Sequence, residues 1–213
     1  MIFNNNLEQE LKQFWKWAGI SIHEYDIDEI KNSLEEFMYP RWNELVKFAC
    51  DAIEDLEKGD YSQLNFILEV MALDNEEETV LIECENKLSK PSLDILIKTG
   101  FNFPLSTTRW QIAELIGRKR VNPWKEYLLD LINDKDKYVQ RRALLSLVKI
   151  DPKSASEISL KKLDDKDEMI RLIAIRILNE TSSACLEDAL MKLENDTSLL
   201  VLEEVESIKK EKF

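Results

Sequence analysis

Apolar residues recur three and four positions apart almost from the start of this chain. Leu7, Leu11, Phe14, Trp15 and Ala18 share one helical face, as do Ile27, Ile30, Leu34 and Phe37. Trp42, Leu45, Val46, Ala49, Ile53 and Leu56 make a third stripe. No run alternates apolar and polar residues between turn signals, so the pattern predicts an all-α chain of about a dozen helices, each roughly three turns long. The four glycines and five prolines stand where the periodicity stops or restarts. Gly19, Gly59, Gly100 and Gly117 are therefore expected as left-handed caps. Pro40, Pro91, Pro104, Pro123 and Pro152 fit helix starts or the links between helices.

The second half repeats itself. The stretch INDKDKYVQRRALLSLVKID, residues 132–151, returns 31 positions later as LDDKDEMIRLIAIRILNE. At that spacing four copies of one helix superpose without gaps, with Arg109, Gln140, Arg171 and Leu202 in register. Three residues on stand Ile112, Ala143, Ala174 and Val205; four on stand Ala113, Leu144, Ile175 and Glu206; seven on stand Ile116, Leu147, Leu178 and Lys209. Apolar positions at these offsets form one buried stripe, and the small residues let neighbouring helices approach closely. The Asp134–Lys135–Asp136 and Asp165–Lys166–Asp167 turns precede two of the copies, and their carboxylates suit N-caps. A second helix lies between copies, in PWKEYLLDLI, SASEISLKKL and CLEDALMKL, with its apolar spacing slipped by one residue in the last.

A helix pair repeated in this way cannot bury its apolar face alone, so copies must stack. The series TTRWQIAELIG, DKYVQRRALLSLV and DEMIRLIAIRIL resembles HEAT-type repeats, in the short variety similar to those of phycobilisome-lyase-like proteins. The period of 31 is shorter than the usual HEAT length of ~40–47 residues. The likeness is clearest over residues 105–213 and extends weakly to DNEEETVLIECENKL, where Glu78, Leu81 and Ile82 fall in register. It implies a right-handed α-solenoid of helix pairs over residues 61–213, with residues 1–60 as an N-terminal helical cap. It also implies that Arg109 and Arg171 pair with aspartates between repeats. Leu202, Glu206 and Lys209 replace otherwise buried or paired residues, as expected of a terminal, water-facing repeat.

Charge adds direction. The net charge is −13, and all of it lies in residues 1–100, which hold 9 Lys/Arg and 22 Asp/Glu; the remaining residues balance at 20 and 20. A field of this sign repels nucleic acid and anionic lipid and speeds encounter with a basic partner. The three cysteines, Cys50, Cys84 and Cys185, lack metal-ligand spacing and read as reduced thiols of a cytoplasmic protein. No apolar run approaches the ~20 residues that cross a bilayer, and the opening residues lack a signal-peptide pattern.

Candidate chemistry is sparse. His23 is the only histidine, which leaves no serine–histidine mechanism and few metal sites. The pair His23–Glu24 resembles one motif of the HEAT-repeat deoxyhypusine hydroxylases, but that family needs several such pairs on its repeats. Four scattered glycines build no phosphate loop. Glu76, Glu77 and Glu78 suit the acidic first turn of a helix. Some HEAT-like proteins are DNA glycosylases, and Arg118, Lys119, Arg120, Arg141 and Arg142 with Trp110 and Trp124 would have to face one groove for that chemistry. Trp15 and Trp42 are expected in the core, and Trp17 on another side of its helix.

The resulting expectation is a non-catalytic protein-binding solenoid without cofactor or metal. Some bacterial immunity proteins resemble short HEAT solenoids, and the resemblance together with the charge points to an acidic immunity protein that blocks a basic toxin such as a nuclease. Glu54, Asp55, Glu57, Asp60, Asp74, Glu76, Glu77, Glu78 and Trp17 are its expected contact residues. An assembly scaffold for a host protein and a HEAT-type DNA glycosylase are the alternatives.

Overall fold

A computed structural model describes residues 6–25 and 35–212, and no strand occurs among them. The α-helices are α1 (Asn6–Ala18), α2 (Ile22–Tyr25), α3 (Trp42–Glu57), α4 (Leu64–Leu73), α5 (Thr79–Lys87), α6 (Lys90–Gly100) and α7 (Ser106–Lys119). They continue as α8 (Lys125–Leu131), α9 (Lys137–Val148), α10 (Pro152–Lys162), α11 (Glu168–Glu180), α12 (Leu186–Leu193) and α13 (Leu199–Lys212). Short 3₁₀ turns occupy Glu36–Met38 and Asn122–Trp124. Ile27, Ile30 and Leu34 of the second expected stripe lie outside the described residues, as does the side chain of Phe37. The chain divides into two compact units, Met1–Leu115 and Ile116–Phe213, and the division falls within α7.

In the first unit α4 is the centre. Leu64, Ile67, Leu68, Val70, Met71, Ala72 and Leu73 are all buried, so this helix is apolar around most of its circumference and must be enclosed. Helices α1, α3, α5 and α6 pack against it. Each fully buried Leu or Ile contributes ~1.5–3 kcal/mol. Polar α7 is nevertheless buried without a break from Leu105 to Gly117. Two of its polar side chains find acceptors, Thr108 Oγ1 donating to the Leu68 carbonyl at 2.8 Å and Gln111 Nε2 to the Met71 carbonyl at 2.5 Å, while Thr107 Oγ1 and Gln111 Oε1 meet no partner among the described residues. The second bond satisfies a carbonyl left open at the end of α4.

Two of the glycines act differently from the expectation. Gly19 and Gly59 do take positive φ, +70° and +94°. Gly100 and Gly117 do not; they are close-approach residues. A Cβ on Gly100 would stand 2.6 Å from Ile112 Cγ1, and one on Gly117 would stand 2.6 Å from Ser146 Oγ and 3.0 Å from its Cα. The left-handed end of α7 is Arg120 instead, at φ 53°.

An ion pair between buried Glu10 and half-exposed Arg41 ties α1 to the segment before α3. Glu10, 2% exposed, accepts from Arg41 Nε at 2.8 Å and Nη2 at 2.7 Å, and from the Tyr39 hydroxyl at 2.6 Å. The hydrogen bonds from Arg41 hold the Glu10 carboxyl below its ordinary range against the cost of burial.

In the second unit the 31-residue period reappears as hydrogen bonds. Asp134, Asp165 and Asp196 each accept through Oδ1 from the backbone N–H two residues on, at 2.8, 3.0 and 2.8 Å. Asp136 and Asp167 then cap α9 and α11, accepting from Val139 N at 3.1 Å and Ile170 N at 2.9 Å. The registered long side chain reaches back six residues to a turn carbonyl: Gln140 to Asp134 O at 2.5 Å, and Arg171 to Asp165 O at 2.8 Å. In the first unit Arg109 does the same with Phe103 O, at 2.8 Å. Arg171 also forks onto Asp196, with Nε–Oδ2 2.7 Å and Nη2–Oδ1 2.6 Å. The equivalent positions Ile112, Ala143, Ala174 and Val205 are all buried. Helix α9 packs against α8, α10 and α11, and α11 against α10, α12 and α13.

The Arg171–Asp196 pair is enclosed, with side chains 11% and 6% exposed, whereas Arg176–Glu204 has 54% and 20%. Removing one partner of an enclosed pair strands the other charge, while open pairs contribute little. Asp196→Ala should therefore cost about 3 kcal/mol in urea denaturation, and Glu204→Gln less than about 1 kcal/mol. Equal effects of the two substitutions would refute this ranking.

Candidate functional site

The acidic residues expected to meet a partner belong to the first unit, and their surroundings divide them into three groups. The first group is engaged within the chain. Glu54 pairs with Lys87 at 2.9 Å, and Asp55 with Lys58 at 3.2 Å. Glu57 accepts from Ser89 N at 2.8 Å and Ser89 Oγ at 3.0 Å, at the entrance to α6, and Asp60 accepts from Ser62 N at 2.9 Å. The Lys87 ammonium beside Glu54 and the Ser89 N–H on Glu57 hold both carboxyls below their ordinary range. These groups remain exposed, but much of their charge is answered at home.

Asp74 stands alone in the second group. It is 2% exposed, and its Oδ2 accepts from Val80 N at 2.8 Å, in the first turn of α5. Its Oδ1 meets no hydrogen-bond donor among the described residues. Burial pushes its carboxyl up to about 6, beyond what the N–H groups of Val80 and Thr79 offset, and the nearby charges of Glu77 and Glu78 push the same way.

Glu76, Glu77 and Glu78 form the third group. The expectation that they fill the first turn of a helix is corrected: α5 begins at Thr79, and Glu78 precedes it in the left-handed region at φ 53°. The helix N–H groups are served by Asp74, so the triplet is left in the connecting turn. Glu76 and Glu77 are exposed, with no ion-pair partner among the described residues. Trp17 is 40% exposed, with its ring 5.3 Å from Tyr39 and 5.8 Å from Phe14, so it offers an edge rather than a free face.

Three of these residues, Asp74, Glu76 and Glu77, converge. A cavity of about 280 Å³ is lined by Glu36, Trp42, Leu73, Asp74, Glu76 and Glu77. The first residue of α3, the end of α4, the turn behind it and the 3₁₀ turn at Glu36–Met38 supply these residues. Glu36 is 8% exposed and accepts from the Tyr25 hydroxyl. Burial raises its carboxyl above the ordinary range in spite of that bond, and Glu76 adds to the effect. Trp42 is half-buried rather than a core residue, and forms an aromatic wall. Sequence reasoning placed Trp42 on an apolar stripe and passed over Glu36. No local signal joined either to the acidic run, which lies more than thirty residues further along the chain.

Trp110 and Trp124 are 6% and 3% exposed, so neither presents a face for stacking on a base. The Arg141 and Arg142 guanidinium groups lie over Tyr138, 5.2 and 5.9 Å from its ring centre. A groove of about 590 Å³ in the second unit carries Lys161, Lys162, Asp164 and Asp165 and so has no single sign. His23 is exposed, and no cluster of three His, Cys, Asp or Glu able to hold a metal occurs among the described residues. No helix among them is long and apolar enough to cross a membrane. No protein-family model matches this chain, and none of the curated proteins compared with it does.

Asp74 gives a pH test. Its carboxyl ionises near 6 in the folded chain and near 3.8 otherwise. The stabilisation is complete below the lower value and is lost as pH rises through the upper one, because only the folded chain holds the proton in between. Asp74→Asn keeps an acceptor for Val80 N–H but cannot ionise. Its stability relative to the parent should rise by about 2–3 kcal/mol between pH 4 and pH 7. Urea denaturation at pH 4, 5.5 and 7 measures this; a constant difference would mean that Asp74 titrates normally.

Proposed function

We propose that this chain is a non-catalytic binding protein, a solenoid of short HEAT-like repeats that holds a basic protein, as the cytoplasmic immunity partner of a basic toxin such as a nuclease. One observation carries the reading: the entire excess of −13 lies in the first hundred residues, while the rest of the chain is neutral. Within that acidic half the exposed pair Glu76 and Glu77, on a carboxylate-lined cavity, offers charge that no lysine among the described residues answers. Attraction between such a face and a basic partner speeds encounter and orients the approach. The partner's nucleic-acid groove, itself basic, would be covered. The recurrent turn clamps at Gln140 and Arg171 favour a repeat scaffold in the second unit.

A second reading draws on different residues. Met191, Leu199 and Leu200 are 57%, 75% and 48% exposed near the end of the chain, which suits a scaffold docking a folded host protein.

Capture of the tagged chain from its own cells, with mass spectrometry of the bound material, separates these. The toxin reading expects one small basic polypeptide at near-equal amount, with an association rate that falls about tenfold or more as salt is raised from 0.05 to 0.5 M. Glu76→Gln with Glu77→Gln should slow association more than Glu54→Gln with Asp55→Asn, whose carboxylates already face lysines. A large host complex, or nucleic acid in place of a basic polypeptide, would overturn the reading.

A further inference from the structure

We infer that the cavity between Trp42, Asp74 and Glu36 is a receptor for a guanidinium group, which on the reading above is an arginine side chain of the basic partner. An acidic surface alone would specify only a positive charge. Three features of this cavity specify more.

First, Asp74 is enclosed yet incompletely satisfied: its Oδ2 is held by Val80 N, while Oδ1 meets no donor among the described residues. A buried carboxylate oxygen without a donor is costly, and a cation delivering N–H groups would relieve it. Second, a second enclosed carboxyl, Glu36, lies on the same cavity, with Glu76 and Glu77 exposed on its lining. Negative charge thus extends from the water-facing residues inward, as a long cationic side chain entering the cavity requires. Third, the wall beside these carboxylates is Trp42 with Leu73. A planar, weakly hydrated guanidinium stacks on an indole face while its edge donates in the plane to carboxylate oxygens; a compact, strongly hydrated ammonium does neither as well.

Size agrees, since about 280 Å³ accommodates one long side chain and falls at the lower limit of small-ligand cavities. A metal ion fits less well, because the described carboxylates do not converge into a ligand set. Burial raises the carboxyls of both Asp74 and Glu36, so their ionised forms are costly until a cation arrives.

The test is an NMR titration of the full chain with N-acetyl-arginine methylamide, alongside the lysine counterpart. Shifts at the Trp42 indole N–H and at the Asp74 and Glu77 amides are expected with the arginine compound. Binding should be about tenfold weaker for lysine, and about tenfold weaker for arginine after Glu76→Gln with Glu77→Gln. Those two residues are exposed and make no ion pair among the described residues, and a Trp42→Leu variant with an unchanged melting temperature checks the stacking wall independently. Equal affinity for both cations, or shifts away from these residues, would overturn the inference. The two proposals fail separately. Arginine binding without any captured basic polypeptide sinks the toxin-partner reading and leaves the receptor. A captured polypeptide whose affinity is untouched by the cavity variants sinks the receptor and leaves the partner.

Discussion

Short helices leave many backbone groups unpaired at their ends, and the order of this chain depends on how its turns satisfy them. In the second unit the answer is a clamp repeated every 31 residues: an aspartate folds the turn onto its own N–H groups, and a long polar side chain from the following helix holds a turn carbonyl. The clamp fixes the angle at which each helix leaves its turn, so that Ala143, Ala174 and Val205 arrive at equivalent buried places. Asp196 does double work in this scheme, because Ser198 N–H and the Arg171 fork share one carboxylate. The fork lowers the Asp196 carboxyl well enough to offset its burial.

The first unit solves the same problem with a different economy of charge. Its centre, α4, is apolar around most of its circumference, Gln111 from α7 meets a carbonyl open at its end, and Asp74, the residue after it, turns its carboxylate to the start of α5. Asp74 caps a helix from six residues upstream, which frees Glu76, Glu77 and Glu78 from that duty and leaves them in the turn. Glu54 and Glu57, by contrast, are absorbed by Lys87 and Ser89, more than thirty residues away in sequence. Acidic residues of the same half therefore hold up the fold, titrate abnormally or face water, according to their neighbours.

The aromatic residues show the same division of labour. Phe14 is fully buried with Trp15, Trp17, Tyr39 and Trp42 around it, yet only Trp42 of these lines the acidic cavity. Trp15 is held by Glu69, whose burial raises its carboxyl despite that bond. The apolar stripes placed Trp15 and Trp42 in the core, yet both are only half-buried; periodicity could not assign which ring would stand beside carboxylates.

The sequence by itself determined the helical class, the 31-residue register, the capping aspartates and the one-sided charge. Each is a local or periodic property: a helix face repeats every 3.6 residues, and a cap needs only a carboxylate a few positions before its N–H. Tertiary structure alone decided that Gly100 and Gly117 serve close packing, that Asp74 is enclosed while Glu76 and Glu77 are not, and that Glu36 joins them across a cavity. Those outcomes depend on which atoms surround a group, and the surrounding atoms come from helices distant in the chain. Burial, and the proton affinity that follows from it, is a property of the packed neighbourhood and has no periodic signature to read.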